Sequence, residues 1–308
     1  MSSFLRKTAI ALLIAGLFHL AAGFLADGTT DEYYLRFTPG KQRSMILGGS
    51  RAAQGLHPSV FNDASGGTGF EGPMYGFAFT MAHSPYGATY LHAIEEKLDP
   101  SVRNGLFILQ VDPWLLSNPG DSTTLTEADR TLGPQLIWNA HPNYEYLTRY
   151  WDRGWGALGH WPMGDPDTTS VLMPDGRLAV NVAMDTATVK RRTENKVRTY
   201  LDEYLPGRKL STARLDYLRQ TIALLEQHGT VTLVRLPVCA EIAGMEYSFA
   251  SDFPTLMADL ANTMGTVFLD LDTMAATFTD GNHLDEHSGQ RVTEAIRRLI
   301  GKPVQARH

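Results

Sequence analysis

Four short apolar runs predict the strands of a central β-sheet. They lie at residues 44–49, 105–111, 230–236 and 266–271, next to glycine, proline or polar residues. Runs of four to eight apolar residues with such boundaries are consistent with buried strands. The four runs are therefore predicted to be buried strands of one sheet.

Helical patterns occupy the segments between these runs. They are predicted at residues 76–98, 186–205, 211–228, 253–264 and 288–300. Strands that alternate with helices are typical of a parallel sheet with helices on both faces. The sequence therefore predicts an α/β fold, a three-layer α/β/α sandwich whose ligands bind at the carboxyl ends of the strands.

The region from about residue 113 to 185 interrupts this alternation. It is rich in Trp, Gly, Pro, Asp and His and has little regular periodicity. Loop insertions of this length are uncommon and usually functional. The insertion is therefore predicted to form a lid or a substrate-binding surface, with its tryptophans stacking on a sugar or forming a small core of their own.

The N-terminus carries a candidate membrane segment. Arg6 and Lys7 precede the uncharged residues 8–26, and acidic residues follow from Asp27. A helix of this length spans roughly 28 Å, close to the hydrocarbon thickness of a bilayer. The charge pattern predicts either a signal-anchor helix or a cleaved signal peptide over residues 1–27, with residues 28–308 outside the cytoplasm.

Composition narrows the class of protein further. The 308 residues are 43% hydrophobic and carry a net charge of only −6, which excludes a disordered chain. The pI of about 5.9 argues against a nucleic-acid partner. Cys239 is the one cysteine, so the chain has no internal disulfide and no metal site made of cysteines alone. No cofactor is expected.

Two motifs at opposite ends of the soluble region combine into a candidate catalytic site. Ser50 follows the first predicted strand and the glycine pair of Ile-Leu-Gly-Gly-Ser-Arg, where a parallel sheet exposes its reactive edge. A nucleophilic serine needs a general base, and that base needs an acid to orient it. The motif Asp280-Gly-Asn-His283 supplies both residue types, separated by a turn.

These motifs resemble those of the SGNH (GDSL-like) hydrolase superfamily, which has a three-layer, flavodoxin-like α/β/α fold. The resemblance implies that Ser50 is the nucleophile, His283 the base and Asp280 the orienting acid. It also implies an oxyanion hole formed by the amides of Ser50 and of Gly66 or Gly67. A third block of the family usually contributes an Asn side chain, but this chain has Asp112 there, and a carboxylate would oppose an oxyanion.

The resemblance covers roughly residues 44–300 and is similar in detail to membrane-anchored extracytoplasmic members. It implies a serine esterase or O-acyltransferase acting on acyl esters of a cell-surface carbohydrate polymer, with an integral membrane protein as a further partner. Arg235, near the end of its predicted strand, and Asp112 are candidate substrate-binding residues. Arg235 would bind an anionic substrate group, pair with Asp112 or form another structural ion pair.

Other interpretations of the same residues stay open. A non-catalytic assembly or polymer-binding protein could keep the fold, and the aspartate at position 112 permits this. His283-Leu-Asp-Glu-His287, with Glu294, matches an inverted zinc-protease pattern, although Asp280-Gly-Asn predicts a turn before His283. Gly67-Thr-Gly-Phe-Glu-Gly72 has the spacing of a dinucleotide fingerprint but lacks a good preceding strand.

Overall fold

The chain consists of two compact units in the computed structural model. One unit comprises residues 1–40 and 135–172, and the other comprises residues 41–134 and 173–308. The structure describes residues 2–26, 31, 33–63, 69–120, 132–150 and 169–300. The predicted domain division, residues 1–27 and 28–308 with an insertion at 113–185, stays a prediction.

A five-stranded parallel sheet forms the centre of the second unit. Its strands, numbered along the chain, are β1 Ser44–Gly48, β2 Met74–Ala78, β3 Gly105–Gln110, β4 Gly229–Arg235 and β5 Val267–Asp270. They lie side by side in the order β2-β1-β3-β4-β5. The order reverses between β1 and β3, and ligands of such sheets bind in the crevice at that reversal.

Helices flank the sheet. Among the described residues, the first unit contains α1 Ser2–Gly23, α2 Tyr34–Phe37 and α6 Tyr144–Arg149. The second unit contains α3 Ser50–Gly55, α4 Pro58–Asn62, α5 Ala88–Lys97, α7 Thr186–Thr199, α8 Thr212–Glu226, α9 Ala240–Phe249, α10 Phe253–Met264 and α11 Glu286–Ile300. This arrangement confirms the predicted α/β fold with a central parallel sheet.

Side chains that alternate along the strands supply both faces of the sheet. Ile46, Ile108 and Val234 pack with residues of α3, α4 and α11 in one apolar core. The neighbouring residues point to the opposite face because successive strand side chains alternate. On that side, Tyr90 of α5 packs on Phe77 and donates its hydroxyl to the Phe77 carbonyl. Every residue of β1, β2 and β3 is consequently buried.

The four predicted strands are confirmed to within about a residue, although β5, predicted to be buried, is a partly exposed strand at the edge of the sheet. The helix predicted at residues 76–98 is wrong over its first half. Met74–Ala78 forms β2, and the helix begins only at Ala88. Ser84-Pro-Tyr-Gly87 separates the two elements, and both proline and glycine disfavour a helix interior. The apolar run at residues 74–79 is short and is followed by a proline and a glycine, and both features favour a buried strand over a helix.

The other predicted helices are confirmed, with shifted ends. The helix predicted at residues 186–205 is α7, which continues as one π-helical turn over Tyr200–Tyr204. Such turns insert an extra residue into a helix and are frequent at functional sites. In this chain the turn carries Tyr200, which is buried beside the candidate site described below.

The first unit contains an N-terminal helix long and apolar enough to cross a membrane or to serve as a signal sequence. The most apolar stretch of the span Ser3–Gly23 has a mean hydropathy of 1.6. Residues 3–21 are exposed, whereas Ala22 and Gly23 at the end of the helix are buried. Phe4, Leu12 and Phe18 are among its exposed apolar side chains. In the same unit, Tyr34, Phe37 and Tyr146 form an aromatic cluster. Of the insertion's tryptophans, Trp151, Trp155 and Trp161 lie outside the described residues.

His57, at the start of α4, is expected to make the fold sensitive to acid. Burial, and then the guanidinium of Arg177, lower the pKa of His57 from 6.5 to about 4, although Glu286 opposes this. Below about pH 6.5 the unfolded chain therefore binds a proton that the folded chain refuses until about pH 4. Stability should fall as the pH drops through this window, by roughly 2–3 kcal/mol at pH 4.5.

The substitution His57→Gln should remove this part of the acid sensitivity. The measurement is the difference between the free energies of unfolding in urea at pH 7.5 and 4.5, compared with the wild-type difference. His287→Gln, which removes an exposed histidine of α11, is the matched control and should keep the wild-type difference. If His57→Gln and wild type lost the same stability between pH 7.5 and 4.5, His57 would not be a source of the acid sensitivity.

Candidate active site

The turn after β1 presents Ser50 at the carboxyl edge of the sheet. Gly48 has a φ of 135°, and a Cβ there would lie 2.7 Å from the Gln110 side chain, so glycine is required. The Gln110 side-chain oxygen accepts the Gly49 amide at 2.9 Å. Ser50 then begins α3. The turn between β1 and α3 therefore places the serine where the strand order reverses, between β1 and β3.

A second turn, between β5 and α11, brings Asp280 and His283 to the same point. Gly281 has a φ of 80°, which glycine adopts at no steric cost, and a Cβ there would lie 2.9 Å from Cys239 Sγ. The Asp280 carboxylate caps the turn by accepting the amides of Asn282 and His283 at 3.0 and 2.9 Å. Asp and Asn side chains commonly organise turns in this way.

The three side chains form a continuous hydrogen-bonded relay. His283 Nε2 lies 2.8 Å from Ser50 Oγ, and His283 Nδ1 lies 3.0 Å from Asp280 Oδ2. Burial acts to raise the pKa of Asp280, but His283 and then Lys196, 3.2 Å away, outweigh it and hold that pKa well below its usual range. The carboxylate is ionised at neutral pH and can accept the Nδ1 proton, so Nε2 can accept the serine proton.

A buried cluster of charges supports the residue after the serine. Arg51 Nη1 lies 2.7 Å from Glu246 Oε1 and 3.4 Å from Asp112 Oδ2. The other oxygen of Glu246 accepts Arg235 Nη2 at 3.0 Å. Burial lowers the pKa of Arg51, but Glu246 and Asp112 outweigh this effect and raise it above its ordinary value. Arg51, the residue that follows Ser50 in the chain, is therefore a buried cation held by two carboxylates.

Removal of the carboxylate at the centre of this cluster is expected to destabilise the protein strongly. In Glu246→Ala, Arg51 and Arg235 stay buried without their shared partner. Breaking one side of a buried ion pair typically costs about 3–5 kcal/mol. The free energy of unfolding of the full chain, measured in urea in detergent solution, should fall by that amount.

Glu241→Ala is the matched control for this loss, because Glu241 is exposed on the same helix, α9. Its effect should stay within about 0.5 kcal/mol of wild type. If Glu241→Ala and Glu246→Ala lost equal stability, the loss in Glu246→Ala could not be attributed to the buried charge cluster.

The remaining predicted site residues have different outcomes. Gly66 and Gly67 lie outside the described residues. Asp112 is buried, and its carboxylate accepts the Gln110 amide at 2.6 Å and the Leu115 backbone amide at 2.9 Å. Arg235 is buried too, and its ion pairs are with Glu246, Asp270 and Asp272. A substrate-binding role for Asp112 and Arg235 stays a prediction.

The alternative metal motif is not assembled on one helix. α11 begins at Glu286, so His283 precedes it, and His287 is exposed. Within the described parts of the chain, no group of three His, Cys, Asp or Glu side chains could hold a metal ion.

Several residues of the site escaped sequence reasoning. Arg51, Asn282 and Tyr200 surround the relay: Asn282 Oδ1 accepts Arg51 Nε at 3.0 Å and the Tyr200 hydroxyl at 3.2 Å. Arg51 and Asn282 each adjoin a relay residue in sequence, and this adjacency was the only available signal. Tyr200 and Lys196 lie about 80 residues from Asp280 in the chain, and no local pattern marks them.

A large cavity lies at the opposite edge of the sheet. It measures about 1130 Å³, and its walls include Gly105 and Thr230, at the amino ends of β3 and β4. It is also bounded by Asp63, Gly69 and Ile300, which adjoin undescribed parts of the chain. Ser50, His283 and Asp280 do not line it, so it is separate from the relay.

Comparisons with known proteins find distant likenesses in structure only. No known protein family and no curated protein sequence matches the chain. A solved structure of a carbohydrate acetylesterase family member from Sinorhizobium meliloti is similar at 13% identity and a TM-score of 0.39, over 83% of this chain and 97% of that one. An arylesterase candidate from Agrobacterium tumefaciens is similar at 12% identity and a TM-score of 0.35, over 83% and 98% of the two chains.

Proposed function

We propose that this protein is a serine esterase or O-acyltransferase of the SGNH type that works through an acyl-enzyme at Ser50. The observation that carries the proposal is the relay from Ser50 Oγ to His283 Nε2 and from His283 Nδ1 to Asp280. A nucleophile, a base in hydrogen-bond reach of it and an acid that orients the base are the diagnostic set for nucleophilic catalysis. The reversal of strand order beside Ser50 is also where ligands of such sheets bind.

In the first half of the reaction, Ser50 Oγ attacks the carbonyl carbon of an ester while its proton passes to His283 Nε2. Asp280 stabilises the resulting imidazolium through Nδ1 and stays ionised itself. The tetrahedral intermediate collapses as the bond to the alcohol oxygen breaks. That oxygen takes the proton from Nε2, which leaves the acyl group on Ser50 and a neutral histidine.

The second half reverses these steps with a different oxygen. A hydroxyl of a carbohydrate, or water, gives its proton to Nε2 and attacks the acyl carbon. Collapse of the second intermediate breaks the bond to Ser50 Oγ, which recovers the proton from Nε2. Hydrolysis and transfer use the same residues and differ only in the acceptor.

The oxyanion of both intermediates is proposed to bind the Ser50 amide together with that of Gly66 or Gly67. Ser50 is the first residue of α3, and a helix offers no acceptor to the amides of its first turn. Donors that are already aimed at the developing charge contribute most to catalysis of this kind. Asp112 has no donor to offer as a carboxylate and is engaged in the buried cluster.

The substrate class is proposed from the sequence resemblance and from the N-terminal helix. A membrane-anchored protein whose soluble part lies outside the cytoplasm meets cell-surface polymers, and an acylated carbohydrate polymer is the proposed substrate. An integral membrane protein that contacts the anchor helix is the proposed partner. Arg235 and Asp112 are kept as candidate substrate-binding residues, although both are buried among their own partners.

The test is intact-mass analysis of the full-length protein in detergent after reaction with a fluorophosphonate. Attack of Ser50 Oγ on phosphorus expels fluoride and adds one phosphonyl group. The expected result is a single adduct that maps to the peptide containing Ser50. A second experiment supplies an acetyl ester as donor and an oligosaccharide as acceptor, and acetyl groups on the oligosaccharide would identify transfer.

A folded protein that forms no adduct would overturn the proposed activity. The result would favour the non-catalytic assembly or polymer-binding role, in which the fold is retained without an activated serine. An adduct at another serine would retain a hydrolase but remove Ser50 from its centre. An esterase activity lost with a chelator and restored by zinc would instead favour the metal interpretation.

A further inference from the structure

We propose that Asn282, held by Arg51 and Tyr200, is a positioning residue that donates a hydrogen bond to His283 Nε2 and thereby keeps the imidazole neutral and directed at Ser50. The proposal rests on the proposed function, since it concerns the base of the same relay. Asn282 is 2% exposed and is not a member of the triad.

Two donors determine which way the Asn282 amide faces. Its oxygen lies 3.0 Å from Arg51 Nε and 3.2 Å from the Tyr200 hydroxyl. Arginine can only donate hydrogen bonds, so the group facing it must be the acceptor. The amide nitrogen is thereby directed to the other side, toward His283. Arg51 cannot rotate away easily, because Glu246 and Asp112 hold its Nη1.

The amide nitrogen lies 3.1 Å from His283 Nε2. An amide nitrogen can only donate, so Nε2 must accept and therefore carries no proton in this arrangement. His283 Nε2 also lies 2.8 Å from Ser50 Oγ. Its one lone pair thus receives two donors, the Asn282 amide and the serine hydroxyl, and the ring proton lies on Nδ1, facing Asp280.

The two neighbours of the imidazole act in opposite directions. Asp280 is anionic at Nδ1 and favours a protonated ring, as an adjacent opposite charge does in general. Asn282 opposes protonation, because a proton on Nε2 would point at the N–H of the amide. Asn282 therefore favours an unprotonated Nε2, which is the form that can take the serine proton. Once Nε2 has taken the serine proton, the same conflict favours its release to the leaving oxygen.

Three further charged or titratable side chains lie near the His283 ring. Lys196 pairs with Asp280 and moderates its effect on the ring. Arg51 faces the ring through Asn282, and its charge is matched by Glu246 and Asp112. Tyr200 is kept in its neutral form, because burial and the nearby carboxylates outweigh Arg51 and raise its pKa.

The test measures how the rate of Ser50 labelling by a fluorophosphonate depends on pH between 5 and 9, using the full-length protein in detergent. The substitution Asn282→Asp replaces the donor with a carboxylate oxygen that favours a proton on Nε2. The midpoint of the rising limb should move up by about one pH unit or more, with recovery of the rate at high pH. Asn282→Leu, which only removes the donor, should move it by roughly half a unit.

Asn118→Asp is the matched control. Asn118 is also buried, and its side-chain oxygen accepts a hydrogen bond from Arg214 Nε at 2.7 Å. The same chemical change there should leave the midpoint unchanged. If Asn282 were only structural, its variants would lose rate equally at all pH values with an unchanged midpoint, and that result would overturn the inference.

A measurement independent of catalysis separates this inference from the proposed function. In protein labelled with ¹⁵N-histidine, the His283 signals are identified by their loss in His283→Gln and followed through the same pH range. If wild type forms no adduct, the proposed activity fails, and the titration of Asn282→Leu against wild type still decides the inference. A higher midpoint in the variant supports it, and an identical midpoint overturns it.

Discussion

Ser50→Ala should abolish fluorophosphonate labelling of the full-length protein. The substitution removes the oxygen that lies 2.8 Å from His283 Nε2, so the relay loses the nucleophile that would attack phosphorus or a carbonyl. Loss of the nucleophile of a triad typically lowers kcat by roughly 10⁶-fold, because the three groups act as one unit. The measurement is the adduct stoichiometry by intact mass, which should change from one to none.

Ser59→Ala is the control for this result. Ser59 lies on α4, the next helix along the chain, and lines the cavity at the opposite edge of the sheet. It should label at the wild-type rate. An adduct that survives in Ser50→Ala, or disappears in Ser59→Ala, would show that the reactive serine is not the one in the relay.

Asp280→Asn should lower the labelling rate by roughly 10³–10⁴-fold with little change in the turn. The new side-chain oxygen can still accept the two backbone amides that organise the turn. The amide nitrogen, however, would donate to Nδ1 and force the ring proton onto Nε2. Ser50 would then face a donor in place of an acceptor. The measurement is the second-order labelling rate constant at pH 8.

The control for Asp280→Asn is Asp285→Asn, five residues further along. The Asp285 carboxylate accepts a hydrogen bond from the Ser288 amide at 2.7 Å near the start of α11. Its labelling rate should stay within about twofold of wild type. Because the pKa of Asp280 is held far below neutrality, loss of activity in mild acid should not arise from Asp280. Equal rates in Asp280→Asn and wild type would exclude Asp280 as the orienting acid.

Local sequence patterns were sufficient to predict four of the five strands of the sheet. Ile46 and Ile108 lie in short, unbroken apolar runs, and an apolar run between breakers forms a buried strand largely irrespective of its partners. β2 was not predicted because its apolar run was assigned to the helical pattern that follows it, and because it contains Gly76, which is unusual within a strand. The reason for Gly76 is tertiary: a Cβ there would lie 2.9 Å from the backbone of Gly176.

Local patterns also identified the three relay residues, since each lies in a short motif with a turn glycine beside it. They could not identify what surrounds the relay. Asp112 was expected near the oxyanion or the substrate, but its partners are Gln110, Leu115 and Arg51, and Arg235 pairs with Glu246. Which buried charge meets which depends on how strands and helices pack, and no spacing in the sequence records that.

The sequence by itself thus predicted the parallel α/β architecture, the apolar N-terminal helix and the choice of Ser50, His283 and Asp280 as a candidate relay, because hydrophobic runs and turn motifs act over a few residues. Only the tertiary structure decided the strand order, the meeting of two turns more than 200 residues apart and the environment of the histidine. Asn282 shows the difference. Its amide faces His283 because Arg51, from the first turn, and Tyr200, from the π-helical turn, both donate to its oxygen. A side chain's orientation is set by every group that reaches it, and those groups come together only when the chain folds.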